Sequence, residues 1–168
     1  MGLLALVFWV LLAAGLPDAM PRALGLERHA PDLWVALVVY LACRGRGYAA
    51  VGWGIVVGLL RDAQSLDPLG THGFVLGLLA FLLAEGRADR GSLAGLTRVL
   101  CVGVGVLVAG GAYMLRMLPL GGALSLSTLL DLLPTALWTA LAALPLYASA
   151  DRLHALDDLC GRARGLPA

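Results

Sequence analysis

Six stretches of the chain are apolar enough to form helices in lipid, and most polar residues fall in the gaps between them. They run from Leu3 to Leu16, Pro31 to Cys43, Tyr48 to Leu60, Leu69 to Ala84, Val99 to Leu118 and Leu129 to Ala150. Pro17 stops the first, and Pro31 stands in the first turn of the second, where its missing N–H is tolerated. Pro134 and Pro145 lie inside the sixth. None of the runs shows the alternation of a barrel strand, and hydrocarbon does not tolerate open backbone polar groups, so helices are the only spanning solution. The predicted fold is an all-α integral membrane protein with six short transmembrane helices in residues 1–150. A polar, amphipathic cytoplasmic tail follows in 151–168.

Length limits the second and third segments. Thirteen residues rise only about 20 Å, against roughly 30 Å of hydrocarbon. Such helices must extend into their flanks, thin the bilayer, or pack where protein replaces lipid. Arg44 and Arg46 can snorkel, which permits the first option. The "RGRG" link between these segments allows only a tight antiparallel hairpin.

Composition supports the membrane class. The 168 residues are 60% hydrophobic and 14% charged, with a mean hydropathy of +0.88. Soluble domains carry about a quarter charged residues. A net charge of +1 argues against nucleic acid as a partner. All basic residues are arginine, and they set the expected orientation. With both termini cytoplasmic, Arg44, Arg46, Arg87, Arg90, Arg98, Arg152, Arg162 and Arg164 fall inside, and only Arg22, Arg28, Arg61 and Arg116 fall outside. The N-terminus lacks the basic region of a signal peptide and reads as a retained first helix. Cys43, Cys101 and Cys160 have no metal-ligand spacing and read as small buried hydrophobes.

Glycines four apart recur inside the helices, notably Gly54 with Gly58 and Gly73 with Gly77. Small residues at this spacing let helix backbones approach closely in lipid. They predict packing within the bundle, with a face for a partner helix as the second use.

The hinge "LLRDAQSLDPLG", Leu59 to Gly70, places three charges at the membrane edge. Asp67, before Pro68, reads as a turn or cap residue. Asp62 stands at the end of a helical run, where a carboxylate opposes the helix dipole. It needs a compensating partner: Arg61, Arg116 or a capping bond to a neighbouring loop. His72 is within sequence reach but reads first as a plain interfacial histidine. Asp131 is expected near the N-terminus of the sixth helix, the favourable end. No GxSG, HExxH or phosphate-binding loop is present, and two hinge aspartates alone do not build a two-metal site. No catalytic, metal or cofactor residues are predicted.

The stretch from Pro31 to Arg87 resembles the MreD family, the membrane subunit of the bacterial rod-shape elongation machinery. Gly58, Leu59, Asp62, Pro68, Leu69 and Gly70 fall in order on its G-L-x-x-D, gap, P-L-G pattern. Arg61, within that motif, stands where an apolar residue is expected. The resemblance implies a non-enzymatic scaffold in the cytoplasmic (inner) membrane that binds an MreC-like bitopic protein. It acts indirectly with MreB, RodA and a penicillin-binding transpeptidase in peptidoglycan synthesis. It also implies a likeness to the six-helix substrate-binding subunits of energy-coupling-factor transporters. The alternative function is therefore a small membrane subunit binding a vitamin-like ligand. Segments four and five are nearly bare of polar residues, which favours the scaffold.

Overall fold

The computed structural model describes residues 7–15, 30–44, 48–65, 69–88, 95–117 and 126–153, and every regular element among them is helical. The first helix, α1, covers residues 7–15. It is followed by α2 (Leu33–Arg44), α3 (Tyr48–Asp62), α4 (Thr71–Ala88), α5 (Gly95–Met117) and α6 (Leu126–Leu153). All six predicted segments are therefore helices, and several limits shift. The second segment starts at Leu33 and not at Pro31, because Asp32 takes the capping position. The fourth begins at Thr71, two residues later than expected. The fifth starts four residues early, at Gly95, and the sixth runs on to Leu153, so Asp151 is still helical. Asp131 consequently lies in the second turn of α6, with no acidic residue in the first.

α2 is the axis of the bundle and packs against α3, α4, α5 and α6. Every residue from Leu33 to Cys43 is buried. A helix that is apolar all round belongs inside, and this one has no polar face to turn outward. Its 12 residues rise only about 18 Å. Of the three ways to seat a short helix, the structure uses protein in place of lipid. Trp9 of α1 stacks on Tyr40 with ring centroids 6.3 Å apart, and Tyr147 of α6 donates a 2.6 Å hydrogen bond to the Ala36 carbonyl.

Around this axis the other helices bury one stripe each. On α3 it is Ala50, Gly54, Val57, Gly58 and Asp62, a helical spacing of four, three, one and four. The opposite surfaces carry exposed Ile55, Val56, Phe74, Phe81, Leu100, Val104, Leu137 and Leu141. An apolar exterior of this extent marks a surface made for something other than water. α5 and α6 hold stretches long and apolar enough to cross a bilayer, Leu96–Leu115 and Leu130–Asp151. α2 and α4 contain shorter apolar stretches.

Candidate functional site: the α3–α4 joint and the adjoining cavity

α3 and α4 form the most extensive helix pair, and glycine makes it possible. A Cβ on Gly58 would collide with the His72 carbonyl and the Gly73 backbone. One on Gly54 would lie 2.7 Å from the Leu76 carbonyl oxygen and 2.8 Å from Ala80 Cβ. From the other side, Leu59 packs on Gly73 and Ile55 on Gly77. The expected glycine pairs thus join the two helices to each other.

Asp62 closes the end of this pair. Its side chain is buried, and its carboxylate accepts backbone N–H bonds from Gly70 (2.8 Å), His72 (3.0 Å) and Gly73 (3.2 Å). Phe74 N–H bonds to the Gly70 carbonyl, which makes Gly70 the capping residue of α4. Gly70 has φ 96°, a conformation open to glycine, and no side chain with which to cap. Asp62 supplies the missing oxygen from the preceding helix. Its position at the C-terminus of α3 costs roughly 0.3–1 kcal/mol through the dipole. Hydrogen bonds to a charged group contribute about 1.5–3 kcal/mol each, so the cap wins. Burial alone would raise the Asp62 pKa, but the bonds from His72, Gly73 and Gly70 outweigh it and hold the group below its ordinary value.

The fourth bond to Asp62 comes from the His72 ring, Nδ1 at 2.7 Å from Oδ1. The expectation of a plain interfacial histidine is therefore corrected. An ionised carboxylate only accepts, so Nδ1 carries the proton and Nε2 points away from Asp62. The ring also stacks on Tyr113 of α5, with centroids 5.7 Å apart.

Arg61 does not serve Asp62. It reaches Asp32 at the start of α2, NH1 to Oδ2 at 2.7 Å. The reading of Arg61 as merely a membrane-edge charge gives way to an ion pair joining α3 to α2. Asp32 Oδ1 also accepts from Val35 N–H at 3.3 Å, the capping bond of α2. The Asp32 N–H donates to Thr139 Oγ1 at 2.8 Å, and that hydroxyl donates to the Thr135 carbonyl at 2.7 Å. Adjacent residues 61 and 62 thus tie α3 to the starts of α2 and α4, and Asp32 adds α6.

Leu69 is exposed and Leu59 half-exposed, so these two motif residues do not enter the polar cluster. Pro68 and Asp67 lie outside the described residues, as do Cys160 and the tail beyond Leu153. Cys43 and Cys101 are not joined in a disulfide. Asp32, Thr139 and Tyr113 are site residues that sequence reasoning missed. For Asp32 a signal existed: an aspartate immediately before an apolar helical run is a capping signature.

Beside the cluster lies a cavity of about 550 Å³. Its lining combines polar Asp32, Arg61, Gln64, Ser65 and His72 with Trp34, Val106, Ala109, Tyr113 and Leu132. At the other end of the bundle, Asp151 of α6 pairs with Arg44 of α2 at 2.7 Å and Arg98 of α5 at 3.0 Å. Tyr40 OH also donates to Asp151 at 3.1 Å. Among the described residues no three His, Cys, Asp or Glu side chains converge as a metal site.

Helices with an apolar exterior, an apolar axis and charges paired at both ends of that axis define a membrane protein built as a helical bundle. The family model of the rod shape-determining protein MreD matches residues 2–153, and the chain belongs to that family. No curated protein and no solved structure matches it significantly. Membership makes it a shape-determining membrane protein.

Proposed function

We propose that the chain is a non-enzymatic scaffold subunit of the peptidoglycan elongation complex that works by binding an MreC-like bitopic partner. The observation that carries this reading is the family match over residues 2–153. The motif residues Gly58, Asp62 and Gly70 support it, because they meet in one rigid joint and their chemistry there is structural. The family match gives the vitamin-transporter alternative no support.

Six membrane crossings with both termini cytoplasmic, in residues 1–150 with a tail at 151–168, belong to the same reading. So does the likeness to the substrate-binding subunits of energy-coupling-factor transporters. Six helices, one of them short and central, with paired charges at either end of it, support these points. Paired charges inside protein are the form in which charge is tolerated near hydrocarbon. In this orientation Arg44, Arg98 and Asp151 face the cytoplasm, and the cavity opens on the outer side.

Affinity purification of the tagged protein from native membranes tests the proposal. An MreC-like bitopic protein should be the main co-purifying species. Recovery of a transporter ATPase pair in its place would sink the reading.

A further inference from the structure

The cavity, lined by residues of all six helices, has polar groups that the joint does not consume. His72 gives Nδ1–H to Asp62, and Nε2, on the far side of the ring, has no partner among the described residues. In the neutral ring Nε2 is an acceptor. Arg61 spends NH1 on Asp32, which leaves further guanidinium N–H groups at the wall. Gln64 adds an exposed amide that both donates and accepts.

Charge is balanced at this end. Asp32 neutralises Arg61, and both of its carboxylate oxygens are already engaged. Asp62 is buried behind His72 and fully occupied. A carboxylate entering here meets the Nε2 lone pair and two aspartates. An ammonium finds one acceptor and stands beside a guanidinium. A hydroxyl or amide suits both sides, donating to Nε2 and accepting from Arg61 or Gln64. The lining also includes Trp34, Val106, Ala109 and Leu132, which suit an aliphatic body. About 550 Å³ lies within the roughly 300–1,000 Å³ of small-molecule sites.

We propose that this cavity is a binding site for an uncharged amphipath, with a hydroxyl- or amide-bearing head at His72, Arg61 and Gln64 and its apolar body along α5. The scaffold reading does not require such a site, and the site does not depend on that reading. A lipid with a hydroxylated, uncharged head offers both halves of this chemistry.

Trp34 lines the cavity and serves as reporter. The full chain in phosphatidylcholine nanodiscs is titrated with monooctanoylglycerol, octanoate, octylamine or glycerol, and the fluorescence of the wild type is compared with that of Trp34→Phe. A saturable, Trp34-dependent change with monooctanoylglycerol is expected, about tenfold tighter than with octanoate or octylamine. Saturation by monooctanoylglycerol and not by glycerol supports the proposal; glycerol saturating the site equally well would show that the apolar lining takes no part, and would overturn it. His72→Phe, which keeps a ring against Tyr113, should weaken binding by about tenfold. Ala109→Phe fills the apolar part of the cavity without touching the cap, and should abolish binding while the protein still purifies folded from the membrane. Equal affinity for the three octyl probes, no saturable signal, or a signal indifferent to Ala109→Phe would each overturn the proposal.

Discussion

The Oδ1 atom of Asp62 lies 2.7 Å from Nδ1 of His72, and through this contact the last residue of one helix grips the first turn of the next. Three backbone N–H bonds to the same carboxylate complete the grip. An orphaned helix start and a misplaced negative charge satisfy each other across the hinge. Asp62→Ala removes both at once, leaving three N–H groups and an imidazole without their acceptor. A loss of about 2–4 kcal/mol is expected, seen as a lower melting temperature and lower membrane abundance. Asp62→Asn should fall between, because an amide offers one acceptor oxygen and turns N–H groups toward N–H groups. A melting temperature unchanged in Asp62→Ala would remove the cap from the account of this fold.

The same carboxylate gives a pH dependence of definite sign. Its folded pKa lies below the ordinary value of 3.8, so its stabilisation is complete above that value and is lost as pH falls through the folded pKa. Wild type and Asp62→Asn should differ by a constant margin at neutral pH and converge below 3.8. Melting curves from neutral pH downward check this. A margin that widens on acidification would contradict the sign.

Much of this arrangement was legible in the chain, and the part that was not has a common cause. Six helices follow from apolar runs, and the α3–α4 contact from glycines four apart, because both signals are local. Asp62 stood out because it sits at the wrong end of a helix. Its donors, however, come from residues 70, 72 and 73 across a hinge, where periodicity carries no information. Arg61 pairs with a residue 29 positions earlier, and Thr139 with one 107 positions earlier. Pairings at that range depend on how helices stack around α2. The central place of α2 was one of three options permitted by its length, and its lack of any polar face is what decides among them.

Glycine at the joint has a paired test. Gly58→Ala places a methyl group on the backbone of α4, where no flexible side chain can yield, and overpacking of this kind costs about 1–3 kcal/mol. Gly103→Ala meets nothing within 4 Å in the middle of α5 and should be neutral or stabilising by up to about 1 kcal/mol. Thermal melts of the two variants side by side separate close approach from helix propensity. Equal effects would show that contact at Gly58 is not limiting.

Asp32 and Arg61 should respond unequally to truncation. Arg61→Ala removes one partly exposed ion pair and should cost no more than about 1 kcal/mol. Asp32→Ala also removes the cap of α2 at Val35 and should cost about 2 kcal/mol. A double-mutant cycle isolates the shared term. If Arg61→Ala proved the costlier of the two, the capping role of Asp32 would be wrong.

The two charged ends of α2 make the proposed orientation testable by labelling. Gln64 is exposed at the end that carries Asp32 and Arg61, and Glu85 is exposed far along α4 toward the other end. In a background with Cys43, Cys101 and Cys160 replaced, Gln64→Cys should react with a membrane-impermeant maleimide added to intact spheroplasts. Glu85→Cys should react only after permeabilisation. The prediction rests on the arginine excess on the Arg44 and Arg98 side, although those two arginines share Asp151 and contribute less free charge than a count of loop residues implies. The remaining weight falls on Arg46, Arg87, Arg90 and the tail. Reaction of Glu85→Cys from outside, with Gln64→Cys protected, would invert the protein and place the cavity on the cytoplasmic face.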